Sequence, residues 1–191
     1  MGQEPDHSME HAMGQEHTKS TPATGSTPWV ESMPRAHPPP GARPTPLCTP
    51  ATTLTTQDWG GIFIHERRNF KFPLKFVVLT LTTETEPCFN QEKCSRIVQD
   101  LQAKDMEDHG LLNIRYNFLL GGDGQIYEGR GWKAKPAITG TFAILHGKYL
   151  HIACIGDYRA TKRPEAMYKA QWDLIQEGVD NMYLKEDFIF L

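Results

Sequence analysis

The sequence predicts a layered α/β or α+β domain that follows a long segment without a hydrophobic core. Short apolar runs rich in β-branched residues alternate with two long helical patterns, and turn-forming residues separate them. The composition of residues 1–56 predicts that this part does not fold. The 191-residue chain is therefore expected to comprise a tail (1–56) and a domain (57–191) of about 130 residues, which is long enough to bury its own core.

Residues 1–56 have the composition of a disordered tail. Ten of the 14 prolines lie in this stretch, and Val30, Leu47 and Leu54 are its only Val, Ile, Leu or Phe residues. Ordering the backbone costs about 1–2 kcal/mol per residue, and a stretch with so little apolar surface to bury does not offset that cost. We therefore expect a Pro/Thr/Ser-rich disordered tail.

The first two elements of the domain are a strand and a helix. Residues 76–82 (FVVLTLT) form a short run of apolar and β-branched residues, which is typical of a strand buried on both faces. From Asn90 to about residue 108 the apolar residues share one helical face, and Gly110 follows as a stop. The spacing therefore predicts a strand followed by a helix.

A hairpin, a strand and a second helix come next. Apolar runs at 114–120 and 125–129 flank the turn residues GGDG, which predicts a β-hairpin. Residues 149–155 form another apolar strand. Beyond Pro164, apolar residues recur at three- and four-residue spacing, which predicts an amphipathic helix.

Charge and hydropathy exclude several classes of function. Twenty basic residues stand against 23 acidic ones, for a net charge of -3, so electrostatic binding to nucleic acid or to an anionic membrane is not indicated. No run of apolar residues is long enough for a transmembrane helix. The first residues lack the apolar core of a signal peptide. We therefore expect a soluble intracellular protein, with secretion as the alternative.

Cysteines and histidines leave two questions open. Cys88 and Cys94 are close enough in sequence to form a disulfide across a small loop, but two free thiols fit the spacing equally well. His146, His151 and Cys154 suggest a metal site at first sight. However, His151 and Cys154 are three residues apart on a predicted strand and point to opposite faces. A pocket or surface histidine and a buried cysteine are therefore favoured over a metal site.

The segment 116–132, YNFLLGGDGQIYEGRGW, closely resembles the signature of the peptidoglycan recognition protein family. Further resemblances follow the family's order along the chain and cover it from Trp59 to Leu191. They comprise Trp59-Gly60, Val77-Val78-Leu79, the spacing of Cys88 and Cys94, Ile152–Tyr158 and Ala170–Val179. The resemblance implies an amidase-2-like fold, in which a central mixed β-sheet is flanked by helices and carries a groove for muramyl peptide. It also favours the disulfide Cys88–Cys94.

Catalytic members of this family are zinc N-acetylmuramoyl-L-alanine amidases, whereas others act without catalysis in innate immunity. The family's zinc-binding histidine on the central strand is matched by Leu81, which has no lone pair to donate to a metal. The other two ligands follow the strand after the second helix, and the sequence ends at Leu191 before their positions. The resemblance therefore implies a C-terminally truncated, non-catalytic member without metal or cofactor.

The resemblance also implies the residues of a peptidoglycan-binding groove. The arginine of the signature, Arg130, suits bidentate capture of a stem-peptide carboxylate. Two other groove positions have changed, with Leu111 in place of a tryptophan and Ile138 in place of a histidine, so we expect weak muramyl-peptide binding. The candidate binding residues are Gly110, Tyr116, Arg130, Trp132 and Thr139.

The function expected from this resemblance is sensing of peptidoglycan, or regulation of the response to bacteria, in innate immunity. One alternative is a regulatory protein that pairs with related recognition receptors without binding peptidoglycan. A zinc amidase is the third, less favoured reading. The expected partners are thus peptidoglycan fragments or related receptors.

Overall fold

The computed structural model of the chain describes residues 49–65, 70–137 and 140–191. Residues 1–48 of the predicted tail lie outside this part. The described residues form strands β1 to β6, helices α1 and α2, and a 3₁₀ segment at Gly140–Leu145. In chain order these are β1 (Thr53–Leu54), β2 (Leu74–Leu81), α1 (Gln91–Glu107), β3 (Phe118–Leu120), β4 (Ile126–Glu128), β5 (Tyr149–Cys154), α2 (Glu165–Asp180) and β6 (Leu184–Phe190).

The strands form one mixed sheet in the order β1-β4-β3-β5-β2-β6. Strands β3 and β4 pair antiparallel and make the predicted hairpin, whereas the other neighbours pair in parallel. Parallel neighbours need crossover connections, and α1 and α2 lie in these crossovers. The mixed α/β architecture is therefore confirmed.

Helices cover both faces of this sheet, and side chains alternate between them along each strand. On β5, Leu150 and Ile152 pack into a core with α2, while Ala153 packs into a second core with α1. We name these two sides the α2 face and the α1 face. All six residues of β5 are buried, so the side of the sheet that each residue occupies is fixed.

The helix ends follow from local sequence. The side chain of Asn90 accepts a hydrogen bond from the backbone N–H of Lys93 (2.9 Å), which caps α1 where the sequence predicts its start. Pro164 stands at the N-cap of α2, directly before the first helical residue. Both predicted helices are therefore confirmed, with ends within one or two residues of those expected.

The folded domain begins earlier than the predicted boundary at residue 57. Thr53 and Leu54 pair with Ile126 and Tyr127 of β4, and the backbone N–H of Ala51 donates to Asp173 on α2 (2.7 Å). A two-residue strand is too short to show a hydrophobic period, and amino-acid composition carries no information about backbone hydrogen bonds. The described end of the predicted tail therefore belongs to the sheet.

The disulfide between Cys88 and Cys94 is confirmed, with the two Cα atoms 5.2 Å apart. Both cysteines are fully buried in the α1-face core, and the bridge joins the loop after β2 to the first turn of α1. Closing so short a loop stabilises a protein by about 2 kcal/mol in the chain-entropy model.

Replacing both cysteines, as Cys88→Ser with Cys94→Ser, is expected to lower the free energy of unfolding by at least about 2 kcal/mol. Urea unfolding followed by circular dichroism measures this loss. Adding reductant is expected to destabilise the wild-type chain and to leave the double variant unchanged. Equal stability of the wild type with and without reductant would contradict a structural role for the bridge.

Candidate functional site

A cavity of about 330 Å³ runs along α1, between that helix and the loop after β2. The loop contributes residues 84–86. The helix contributes Lys93, Ile97, Asp100, Leu101 and Lys104. We name this cavity the α1 groove. It lies where a loop that follows a parallel strand meets the next helix, a common location for ligand sites in α/β proteins.

Tyr116 and His151 lie together on the α1 side of the sheet. Tyr116 is only 6% exposed, and its ring meets the ring of His151 edge-on at 4.8 Å between centroids. Burial, opposed by the charge of Arg115 and assisted by that of Glu84 on the groove wall, raises the pKa of Tyr116 to about 12. The phenol is therefore neutral at physiological pH, and it lies within electrostatic range of Glu84 on the groove wall.

The segment that links α1 to β3, residues 110–115, is bound to α1 by a buried ion pair. The carboxylate of Asp105 accepts hydrogen bonds from the backbone N–H and the Nε–H of Arg115, both at 2.8 Å, and Arg115 Nη2 also contacts it. Asp105 is 3% exposed. The hydrogen bond to Asp105 holds the pKa of Arg115 above its usual value. A buried carboxylate needs such a partner, so this pair fixes the segment in place.

Arg130 holds the same segment from the hairpin side. Its Nε donates to the carbonyl of Ile114 (2.6 Å), and its Nη2 donates to the carbonyl of Asn113 (3.1 Å). Its Nη1 donates to the carbonyl of Lys135 (3.3 Å). Each guanidinium nitrogen thus has a backbone partner. The planar fork that sequence reasoning assigned to a ligand carboxylate serves to join three segments of the domain.

His151 is a buried neutral histidine. Its Nε2 lies 3.0 Å from Thr80 Oγ1, and within the described ranges its Nδ1 has no hydrogen-bond partner. Burial, together with the nearby charge of Arg115, lowers the pKa of His151 to about 3. The imidazole therefore stays uncharged throughout the physiological range.

The sequence-predicted binding residues do not all lie in one place. Gly110, Tyr116 and Arg130 lie on or beside the 110–115 segment. Trp132 packs on the α2 face instead, where its indole stacks on Tyr183 at 5.0 Å and donates to Glu177 (3.0 Å). Thr139 lies outside the described residues. Tyr116 and Trp132 therefore cannot line the same wall of a groove.

Sequence reasoning missed the ion pair between Asp105 and Arg115 and the contact of His151 with Tyr116. Neither Asp105 nor Arg115 belongs to a recognisable motif, and the two residues are ten positions apart in sequence, so no local pattern indicates their contact. His151 was singled out only as a possible metal ligand. It does point to the opposite face from Cys154, which packs on the α2 face.

A second, larger cavity of about 650 Å³ shares no lining residue with the α1 groove. The first turn after β1 (55–57), residues 63–65 and the end of the hairpin line it, together with Lys133 and Ala134. Polar, charged and apolar residues all line this cavity. It lies at the end of the strands opposite to the loop after β2. The predicted residue Arg130 lines this larger cavity, whereas Gly110, Tyr116 and Trp132 line neither cavity. The α1 groove is the candidate site because it adjoins the loop after β2, the strand on which Leu81 takes the place of a zinc ligand.

The end of β2 is unsuited to hold a zinc ion. Leu81 packs against the α2-face core and pairs with Cys154 of β5. Burial raises the pKa of the Cys154 thiol, and Arg163 Nη1 lies 3.0 Å from its sulfur, so a cation already occupies that side. Within the described part of the chain, no group of three or more His, Cys, Asp or Glu residues could hold a metal. The residues present therefore do not fit zinc.

Comparison with known proteins identifies the class to which this fold and groove belong. The family model described as N-acetylmuramoyl-L-alanine amidase matches residues 58–190. Peptidoglycan-recognition protein 3 of Holotrichia diomphalia is 31% identical over 137 residues, which cover 72% of this chain and 71% of that protein. The chain therefore belongs to the peptidoglycan recognition protein family, the innate-immunity branch of this amidase fold.

Solved structures of the family agree with this assignment. The complex of the ectodomains of peptidoglycan recognition proteins LCa and LCx bound to tracheal cytotoxin matches with a TM-score of 0.68 and 33% identity, over 73% of this chain and 82% of that one. Drosophila PGRP-LB matches with a TM-score of 0.69 and 29% identity, over 74% and 81%. Among the described residues, no helix has the length and apolar character needed to cross a membrane.

Arg130→Ala is expected to lower the free energy of unfolding by about 2 kcal/mol, because it leaves three backbone carbonyls without their charged donor. It is also expected to speed amide hydrogen exchange at Asn113–Arg115. The matched control is Arg159→Ala, since Arg159 pairs with Asp157 at the surface. Unchanged stability and exchange in the Arg130 variant would refute the proposed anchoring role.

His151 is expected to make stability fall as pH falls from about 6.5 towards 3. Its folded pKa of about 3 lies below its unfolded value, so in this window the unfolded chain binds a proton that the folded chain does not. The slope of unfolding free energy against pH is expected to be smaller in His151→Gln by up to about 1.4 kcal/mol per pH unit. His109→Gln, at an exposed histidine, serves as the control. Identical slopes in His151→Gln and wild type between pH 4.5 and 6 would be the contrary result.

Proposed function

We propose that this chain is a non-catalytic peptidoglycan recognition protein, which binds muramyl peptide weakly in the α1 groove and acts in innate immune sensing or in regulating the response to bacteria. The proposal is carried by the α1 groove, whose wall residue Glu84 acts electrostatically on Tyr116, together with a leucine, Leu81, at the position of a zinc ligand. The groove is consistent with ligand binding, whereas a leucine at the position of a zinc ligand argues against hydrolysis.

The case against catalysis rests on the side chains around the end of β2. Zinc hydrolases hold the metal with about three nitrogen, sulfur or oxygen ligands and leave one position for water. At this position a hydrocarbon packs into the core. The thiol on the neighbouring strand is protonated by burial and faces a guanidinium. Placing a dication there would add repulsion to the cost of ionising the thiol.

The case for binding rests on the rigid segment beside the groove and on the family. The structure that contains LCa and LCx has tracheal cytotoxin bound. In the present chain, Gly110 and Tyr116 are proposed to contact a muramyl peptide, and Arg130 is proposed to act by holding the segment between them. Thr139 stays a predicted contact. The charged side chains that line the groove are exposed, so water screens their interactions with a ligand and the proposed affinity is weak.

No release of the stem peptide from peptidoglycan fragments is expected from the purified chain, with or without added zinc, because Leu81 cannot ligate the metal. Chromatography of the digested fragments, with metal content measured on the same sample, checks this. A catalytic relative assayed in parallel serves as the positive control. Cleavage that a chelator abolishes would disprove the non-catalytic assignment.

Calorimetric titration with muramyl tripeptides is expected to give dissociation constants that are weak but measurable. Tyr116→Ala is expected to weaken binding at least about tenfold, since it removes the proposed contact of the ring with the ligand. Tyr168→Ala, on the other face, is the control for a lost aromatic ring. No heat at millimolar ligand would end the sensing proposal and leave pairing with a related receptor as the function to test.

A further inference from the structure

Threonines that directly precede a proline are concentrated in one part of this chain. Thr21, Thr27, Thr45 and Thr49 are each followed by proline, whereas the sequence from residue 51 onward has no serine or threonine before a proline. A large class of Ser/Thr protein kinases transfers phosphate to a hydroxyl group only where proline is the next residue. The sequence therefore contains four candidate acceptors for such an enzyme, and Thr49 is the one that the structure describes.

Thr49 is accessible to another protein. Thr49 and Pro50 are both exposed, and both precede the first strand, which begins at Thr53. The ring of Pro50 restricts the backbone of Thr49 to extended conformations. Phosphoryl transfer needs a hydroxyl group that reaches the catalytic aspartate of the kinase, and an exposed residue on an extended segment meets that need.

A cation of the folded domain lies beside Thr49. Lys169 Nζ, on α2, donates to the backbone carbonyl of Thr49 (2.8 Å) and pairs with the carboxylate of Asp173 (2.6 Å). A phosphate carries a charge of about -1.5 to -2 at pH 7, and its oxygens accept strong hydrogen bonds from ammonium groups. A phosphate on the Thr49 hydroxyl would therefore come within reach of an ammonium group that the fold already holds in place.

The start of the folded domain is attached to α2 and to the sheet by few bonds. We name residues 49–54 the entry segment. Besides the bond just described, the backbone N–H of Ala51 donates to Asp173 (2.7 Å), and the carbonyl of Thr52 accepts the N–H of Ile126 (3.0 Å). A segment at the end of a domain that is held by so few bonds opens more readily than the sheet interior, so one added bond changes its local stability.

We propose that Thr49 is a phosphorylation site for proline-directed Ser/Thr kinases, and that its phosphate binds Lys169 and attaches the entry segment more firmly to α2. In this reaction the Thr49 oxygen forms a bond to the γ-phosphorus of ATP, and the bond from that phosphorus to the bridging oxygen breaks. ADP leaves, and the hydroxyl proton passes to the kinase's aspartate. Asp173 repels the phosphate, but it bonds to Ala51, whereas Lys169 bonds to Thr49 itself, so attraction exceeds repulsion.

The first test is phosphorylation of the full 191-residue chain by a mitogen-activated and by a cyclin-dependent protein kinase, with MgATP as the phosphate donor. Peptide mapping by mass spectrometry is expected to find phosphate on Thr49. Pro50→Ala is expected to abolish it, because this variant lacks the residue that such kinases require. Thr52 is the matched internal control, since it is an exposed threonine three residues away that no proline follows.

The second test measures the effect of the phosphate on the entry segment. Hydrogen exchange of the Ala51 amide is expected to slow by about two- to fivefold on phosphorylation, as an exposed ion pair would cause, and to slow less at high salt. Lys169→Gln is expected to remove this slowing, whereas Lys185→Gln, at an exposed lysine on β6, is expected to retain it. Each variant is compared with its own unphosphorylated form, and thermal melting verifies that the folded fraction is the same.

Each contrary outcome overturns a stated part of the proposal. Absence of phosphate from Thr49 with both kinases overturns the site, whether or not other threonines are labelled. Equal labelling of Thr52, or labelling of Thr49 that survives Pro50→Ala, overturns the dependence on proline. Unchanged or faster exchange after phosphorylation, or slowing that persists in Lys169→Gln, overturns the role of Lys169. These results are independent of peptidoglycan binding, so the function proposed above is tested separately.

Discussion

The pairing of β2 with β5, inside a sheet covered on both faces, is the constraint on which the other features of this domain depend. Six successive residues of β2 pair in parallel with six of β5. Because side chains alternate, a slip of one residue would exchange the α1 and α2 faces at every position. This register places Thr80 beside His151 on the α1 side. It also places Leu81 and Cys154 with the core that α2 covers.

The 110–115 segment is in turn fixed to α1 and to the hairpin by side-chain hydrogen bonds. Asp105 binds it from α1 through Arg115, and Arg130 binds it from the hairpin through two carbonyls. Gln102 adds a hydrogen bond from α1 to the side chain of Asn113 (2.9 Å). Charged groups that could bind a ligand in an isolated loop are thereby engaged in hydrogen bonds that hold this segment in place. The segment is therefore rigid, and a rigid segment loses less conformational entropy when a ligand binds. Fewer of its polar groups, however, remain available to contact the ligand.

Sequence patterns predicted those parts of the structure that depend on local order. Helix α1 followed from apolar spacing and from Asn90, and the β3–β4 hairpin followed from the glycine-rich turn between apolar runs. The side of the sheet taken by Trp132 and the partners of Arg130 were not predictable. Both depend on contacts between residues distant in sequence, and a motif states residue types without saying which face they occupy. Strand β1 was missed for the same reason, since its evidence is the backbone pairing of Thr53 with Ile126.

Replacing a zinc ligand by leucine changes the electrostatics of a groove as well as its chemistry. A bound dication is often the largest local charge in its site and attracts anionic ligands over several ångströms. Leu81 packs with the core that α2 covers, so its side chain leaves no charge at the end of β2. Along the α1 groove the field is set by the charged side chains that line it, three carboxylates and two ammonium groups. Muramyl peptides carry carboxylates, so without the metal such a groove binds them less tightly. Under the proposed function, the loss of catalysis and the weak affinity therefore have a common cause, since the two ammonium groups of the groove, beside three carboxylates, do not replace the charge of a dication.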